Sequence, residues 1–144
     1  MAIKNYTTKI EATRTVAEIQ ALLGEKGASR VACDYEGGRP VAIGFLMQVG
    51  DEMVPFRIQA NAAAVQKRLE LDRVEKKYQT IQHAEKVAWR LVLEWIEVQI
   101  AFIEAGQASM AQLLLGYSVT KTGETFWEAL MERESGKRLL AEHL

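Results

Sequence analysis

HAEKVAWRLVLEWIEVQIAFIEAG, residues 83–106, is the stretch that decides how this chain folds. At 100° per residue, His83 and most of the charged side chains fall within a stripe of roughly 80°, and nearly all the remaining circumference is apolar. A typical surface helix buries a stripe of only about 100°. We therefore predict a long helix that is covered by a sheet on one side and by other helices or a second subunit on the others.

The same segment is not expected to cross a membrane. Five charged residues interrupt it between Glu85 and Glu97, so it contains no run of the ~18 apolar residues that a spanning helix needs. The opening MAIKNYTTKI lacks the apolar run of a signal peptide. Cys33, the single cysteine, fits a reducing compartment. The sequence therefore predicts a cytoplasmic protein without a membrane partner.

Length and charge narrow the class of protein. A chain of 144 residues with 49% hydrophobic and 26% charged residues is typical of a globular domain, so we expect residues 1–144 to form one domain. The 18 basic residues are balanced by 19 acidic ones, for a net charge of -1. That balance argues against a general polyanion binder, which normally carries a strongly basic face.

Alternating apolar residues mark the first half of the chain, residues 1–60. They predict three antiparallel strands, over residues 29–35, 41–49 and 53–60. The turn sequences EGGRP and GD between them are typical of hairpins. A further edge strand is predicted over Ile3–Ile10. Thr15-Val-Ala-Glu18 fits a capping box that opens one short helix, which ends at Gly24.

The second half, residues 61–144, contains no proline and is predicted to be helical. Asn61 can cap a helix that starts at Ala62. The pattern leaves open whether residues 62–105 form one helix or two, with a break near Tyr78 and a new cap at Thr80.

Two shorter helices are predicted towards the C-terminus, over Ser109–Leu115 and from a capping box at Thr125 to about Leu140. The predicted fold class is α+β. It comprises an N-terminal antiparallel β-meander with one short helix, followed by an all-helical half whose long buried helix packs on the sheet. Because one short terminal helix hardly covers the long helix, we also predict a homo-oligomer.

One face of the predicted sheet carries small or polar residues, with Arg57 at its centre. Such a face leaves room for a partner or a small anionic ligand, and arginine binds anions in a bidentate manner. The ligand-binding residues that we predict are Arg57, Arg90, Gln59 and Asn61. The alternative is a solvated face with one surface arginine.

A cluster of basic residues supports a second interpretation, contact with nucleic acid. Its members alternate with acidic residues. They are Lys67, Arg68, Arg73, Lys76 and Lys77. Such an alternation is also typical of a solvated helical face, so the sequence leaves both readings open.

No set of residues predicts catalysis, a metal site or a cofactor. Glu94 and Glu97 lie one helical turn apart and could serve a hydrolase, but no histidine stands at a metal-ligand spacing from them. Cys33 alternates with apolar residues, and the sequence shows no base that would activate it. We therefore expect a protein that is not an enzyme.

Several segments resemble a family of small proteins from tailed bacteriophages and prophages. They are MAIKNYTTKI, VPFRIQAN, AEKVAWRLVLEWIEVQIAFIEAG and LLLGYSVTKTGETFWEAL. The resemblance covers almost the whole chain and is weakest over the region from Lys67 to Lys77. The resemblance implies a phage-encoded protein that acts in the host cytoplasm. The functional hypothesis is a non-enzymatic accessory protein that engages a host factor or sequesters a small anionic, nucleotide-like ligand to counter host defence. The alternative is a nucleic-acid-binding factor in phage replication or recombination.

Overall fold

The structure is a computed structural model that describes residues 1–133, Leu139 and residues 141–143. This part of the chain contains a three-stranded sheet and five α-helices. In chain order they are α1 (Ala12–Glu25), β1 (Arg30–Glu36), β2 (Arg39–Val49), β3 (Glu52–Gln59), α2 (Ala62–Leu71), α3 (Ile81–Glu104), α4 (Met110–Leu114) and α5 (Phe126–Glu132). The predicted α+β class is confirmed.

The sheet is antiparallel, with the strands in the order β1-β2-β3. Cys33 lies opposite Ile43, and Ile43 lies opposite Ile58. Gly37 and Gly38, with φ angles of 56° and 77°, close the β1–β2 hairpin in the left-handed conformation that the favoured two-residue turns need. The three strands lie within two residues of their predicted bounds, because alternation and turn residues agree.

The hydrophobic core lies between one face of the sheet and two helices. Buried side chains of α1, β2, β3, α3 and α4 form one continuous cluster, and partly buried side chains of β1 pack against it. Ile19, Ile43 and Trp89 are 0% exposed at its centre, and the Trp89 Nε1–H donates to the Pro40 carbonyl at 3.1 Å. Because α2 also packs against α3, the apolar circumference of α3 is covered from several sides.

The C-terminal end of α3 is less covered than its beginning. Val98 is 61% exposed and Phe102 is 39% exposed. These side chains are the part of the apolar helix that the described chain leaves in solvent. The homo-oligomer that we predicted from the sequence stays a prediction.

The predicted strand over Ile3–Ile10 is wrong. The first ten residues form turns and extended backbone, and Asn5 has a φ of 68°. The Ile3 N–H donates to an Asp72 carboxylate oxygen at 2.9 Å. Lys4 Nζ and Asn5 Nδ2 donate to Glu94 Oε2 at 2.7 and 3.0 Å. The polar side chains thus bind helix α3 and its surroundings instead of lining a sheet edge.

The helix starts show which sequence signals were reliable. Asn61 and Thr80 accept hydrogen bonds from the backbone at the starts of α2 and α3, and Thr125 forms the predicted capping box with Glu128. The capping box predicted at Thr15 is wrong, because α1 begins three residues earlier, at Ala12. Thr15 is a buried residue inside that helix.

Two helices, not one, span residues 62–105. Helix α2 ends at Leu71, and a short 3₁₀ turn at Lys76–Tyr78 precedes α3. Arg73 adopts a φ of 56°, which no helix can continue through. Helix α5 ends at Glu132, and most of the remainder of the predicted terminal helix, residues 134–138 and 140, lies outside the described residues.

A candidate ligand-binding cleft at the edge of strand β3

The chain that follows α4 folds back onto the open edge of β3. The Val119 N–H donates to the Pro55 carbonyl at 2.8 Å, and Ser118 pairs with Phe56. Val119 in turn pairs with Thr125. Residues 118–126 therefore form a small hairpin, called the edge hairpin below, that is joined to the edge of β3 by an isolated β-bridge.

A cleft of about 580 Å³ opens between the edge hairpin, the start of α5 and the end of β3. Its walls combine one arginine, two amides and two aromatic rings with an acid and small residues. They are Arg57, Gln59, Asn61, Gly116, Tyr117, Thr125, Trp127 and Glu128. Three of the four ligand-binding residues that we predicted, Arg57, Gln59 and Asn61, thus come together in one cleft.

Arg57 is held in place by the edge hairpin and by α5. Its Nη2 donates to the Gly123 carbonyl at 2.9 Å and lies 3.7 Å from Glu128 Oε1. Both contacts recorded within the described chain use Nη2, so Nε and Nη1 remain for a ligand. The side chain is 26% exposed, which means that a ligand can reach a guanidinium that is already oriented.

Glu128 keeps the cleft close to neutral overall. Hydrogen bonds from the Thr125 backbone N–H and hydroxyl, together with the charge of Arg57, hold the pKa of Glu128 below its ordinary value. The carboxylate is therefore ionised at neutral pH and faces Arg57. A bare anion would have to compete with Glu128 for the guanidinium, so the cleft favours a ligand that combines an anionic group with other binding groups.

Two aromatic rings supply such binding. Trp127 is 55% exposed and Tyr117 is 38% exposed. The Tyr117 ring is supported from behind by Trp95, with 5.1 Å between the ring centroids. Large exposed rings at a cleft offer flat faces against which a planar ligand can stack.

The backbone at the end of β3 adds hydrogen-bonding groups. The Ala60 N–H donates to Val41 on β2 at 3.0 Å. Because successive residues of a strand point their backbone groups in opposite directions, the N–H and C=O of Gln59 point away from β2, to the open edge. In the described chain the edge hairpin pairs only with the preceding residues of β3. Gln59 therefore presents a donor and an acceptor beside the cleft.

Arg90 does not belong to this cleft. Its Nη1 lies 2.9 Å from Glu18 Oε2 and 3.4 Å from the Thr15 hydroxyl, between helices α1 and α3. Only 17% of its side chain is exposed. The sequence placed Arg90 on the polar stripe of α3, and the structure shows that α1 covers this part of the stripe.

The basic cluster begins on α2 with Lys67 and Arg68, continues in the connection with Arg73, and ends in the 3₁₀ turn with Lys76 and Lys77. Two of its five members have acidic partners: Arg68 lies 2.9 Å from Asp72, and Lys77 lies 3.7 Å from Glu75. Within the described residues no ion pair is recorded for the other three, Lys67, Arg73 and Lys76. The cluster is a separate surface that does not line the cleft.

Glu94 has a structural role. The hydrogen bond from Lys4 lowers its pKa, as does a second one from Asn5, so the ionised carboxylate anchors the N-terminal segment on α3. Across the described part of the chain, no group of three or more histidine, cysteine, aspartate or glutamate residues could hold a metal ion.

The comparisons with known proteins place this chain in no family: no family model, curated protein or solved structure matches it. Among the described helices, none combines the length and the apolar character needed to cross a membrane.

Proposed function

We propose that this chain is a non-catalytic binding protein whose cleft at the edge of β3 holds a small anionic, nucleotide-like ligand. One observation carries the proposal. An oriented arginine, two amide side chains and two exposed aromatic rings line the same cleft of about 580 Å³. These are the groups that bind, respectively, a phosphate, the edge of a base and the face of a base.

Each group has a distinct role in this proposal. The base stacks on Trp127 or Tyr117, a contact worth about 1–3 kcal/mol. Its edge pairs with the amide of Gln59 and with the outward backbone groups of the same residue. Arg57 receives the phosphate with a charge-assisted hydrogen bond worth about 1.5–3 kcal/mol.

Asn61 contributes only as a donor. Its Oδ1 already accepts the Ala64 N–H at 3.0 Å and caps α2, so the Nδ2 group is the part of the amide that can face the ligand. Because Oδ1 caps α2 and Nδ2 faces the ligand, the orientation of the amide is fixed. This orientation also determines which kind of ligand group fits. An acceptor such as a base carbonyl or a ring nitrogen meets Nδ2 favourably.

The biological role that we propose is sequestration. A phage protein in the bacterial cytoplasm that binds a nucleotide signal without consuming it would lower its free concentration and so blunt a defence that depends on it. The resemblance to phage proteins supports this setting, and the cleft supports the ligand class. In the other form of the hypothesis, the partner is a host protein instead of a small ligand. That form predicts that substitutions of the cleft residues leave binding of the host protein unchanged.

Isothermal titration calorimetry with AMP, GMP, CMP and UMP tests the proposal. We expect at least one to bind, and we expect Arg57→Gln and Trp127→Ala each to weaken binding by about tenfold or more. Matched controls are Arg14→Gln, an exposed arginine on α1, and Phe126→Ala, a neighbouring exposed ring that does not line the cleft. Absence of binding by all four nucleotides at millimolar concentration, or equal losses in the test and control variants, would contradict it.

The nucleic-acid alternative rests on the three basic residues without recorded acidic partners in the described chain. If this surface binds DNA or RNA, the logarithm of affinity must fall steeply with the logarithm of salt, by about 0.7–0.9 per phosphate contact. Fluorescence anisotropy of labelled oligonucleotides from about 50 to 200 mM salt measures that slope. The triple substitution of Lys67, Arg73 and Lys76 by glutamine should reduce it, whereas Arg57→Gln should not.

A further inference from the structure

A second concave surface lies on the face of the sheet that points away from the hydrophobic core. It has a volume of about 230 Å³. Strand pairing puts Ala32, Gly44 and Arg57 in one row across its floor, with Leu46 opposite Pro55 in the next row on the same face. We call this surface the trough. The sequence predicted small or polar residues on this face, and Ala32, Gly44 and Arg57 fit that prediction, whereas Leu46 is larger and apolar.

Gly44 keeps the trough open, and the fold does not require a glycine there. A Cβ at this position would lie 3.6 Å from the Phe56 carbonyl oxygen and 4.0 Å from the Ala32 carbonyl oxygen, which are ordinary contacts. Gly44 is also not among the glycines with positive φ. A glycine inside a strand costs stability, so its presence is accounted for by the space that it leaves above the sheet.

Arg57 lines both the cleft and the trough. Gly44 lies directly opposite it on β2, and Gln59 lies two residues further along β3. From strand spacing, Gly44 in the trough and Gln59 in the cleft are on the order of 8 Å apart, and Arg57 lines both surfaces. The protein thus offers two recesses for flat groups on either side of one positive charge.

We infer that the ligand of the cleft is a dinucleotide that crosses Arg57, with its second base in the trough. This inference rests on the proposed function of the cleft. The first base stacks on Trp127 or Tyr117, the phosphodiester meets the guanidinium, and the second base lies over Gly44. Because stacked bases are only about 3.4 Å apart, the two bases must be splayed apart to fill both recesses.

The charges around the trough favour a base over a second phosphate. Arg30 and Asp34 line the trough together with Arg57. Once Arg57 holds the phosphodiester, the opposite charges of Arg30 and Asp34 leave the rest of the trough close to neutral, and it offers no further net positive charge to a second phosphate. The same pair offers donors and an acceptor to the edge of a base, since an aspartate accepts from an exocyclic amino group and an arginine donates to ring nitrogens and carbonyls.

Calorimetry with AMP and with the dinucleoside monophosphate ApA tests the inference. We expect the wild-type protein to bind ApA about tenfold or more tightly than AMP. Gly44→Val fills the trough with a residue that strands favour. It should abolish this advantage while changing the affinity for AMP by less than about twofold, because Gly44 does not line the cleft. Gln48→Val, an exposed position further along β2 that does not line the trough, is the matched control.

AMP binding without an ApA advantage, or equal losses of AMP and ApA affinity in Gly44→Val, overturns the inference and leaves the proposed function standing. If neither AMP nor ApA binds, the inference is overturned, and the proposed function falls with it only if GMP, CMP and UMP also fail to bind. If Gly44→Val fails to fold by circular dichroism, the double variant Arg30→Ala, Asp34→Ala takes its place with the same expected result. A ten-nucleotide oligomer that binds much more tightly than ApA would identify a single strand, rather than a free dinucleotide, as the source of the ligand.

Discussion

Replacing Trp89 by phenylalanine tests the packing of α3 against the sheet. Trp89 is 0% exposed, and its Nε1–H donates to the buried carbonyl of Pro40 at 3.1 Å. Phenylalanine keeps a ring in the core but removes the donor. A buried acceptor left without a partner costs about 1–3 kcal/mol, and the void left by the missing ring atoms adds about 1 kcal/mol. We expect the free energy of unfolding to fall by about 2–4 kcal/mol.

Urea denaturation followed by circular dichroism measures this loss without relying on tryptophan fluorescence, which the substitution itself alters. For a chain of this length, the melting temperature should fall by roughly 5–15 °C. Trp127→Phe is the matched control, because Trp127 is 55% exposed and should change stability by no more than about 0.5 kcal/mol. A loss below about 1 kcal/mol for Trp89→Phe, or equal losses in the two variants, would refute the reasoning.

Thr80→Ala removes the hydroxyl that accepts the His83 N–H at 3.1 Å, and urea denaturation should show a loss of about 1 kcal/mol; an unchanged midpoint would contradict the cap. Hydrogen bonding to Lys4 lowers the folded-state pKa of Glu94, so its stabilising contribution is complete above the unfolded pKa and is lost as the pH falls through the folded one. Glu94→Gln should therefore flatten the decline of the urea midpoint between about pH 5 and pH 3, and a parallel decline in both proteins would count against this anchor. Sedimentation equilibrium should show an oligomer that Val98→Glu dissociates, and a wild-type monomer at every concentration would end that prediction.

The sheet was predictable because its signals are local. Alternation of apolar residues and paired glycines in a turn each depend on neighbours within a few positions, and the strands follow them closely. The edge strand predicted over Ile3–Ile10 was wrong because a local pattern does not reveal partners that are distant in the chain. Its alternating pattern is real, but the partners that fix Lys4 and Asn5 lie on α3, about 90 residues away.

Helix starts show how one motif can have two meanings. Thr15 and Glu18 have the spacing of a capping box, yet both lie inside α1. There the Glu18 carboxylate pairs with Arg90 at 2.9 Å. A threonine three residues before a glutamate also puts both side chains near one another on a helix surface, so the spacing alone does not locate the first turn.

The sequence predicted only part of the candidate site. Arg57, Gln59 and Asn61 are close in the chain and share a face because alternate residues of a strand do. The aromatic wall was missed, since Tyr117 and Trp127 come from a segment whose docking on β3 depends on backbone pairing over a long separation. The sequence did contain one signal for the position of Trp127. The capping box at Thr125 puts Trp127 in the first turn of a short helix.

The anchoring of the N-terminal segment has a consequence for the order in which the protein is made. Residues 3–5 bind Asp72 and Glu94, at separations of 69, 89 and 90 positions. At ribosomal speeds of about 5–20 residues per second, Lys4 waits roughly 5–20 s before its partner on α3 has been synthesised. Residues 3–5 therefore reach their folded positions only after α3 has been made. Until then the nascent chain holds Lys4 and Asn5 without the carboxylate that fixes them in the folded protein.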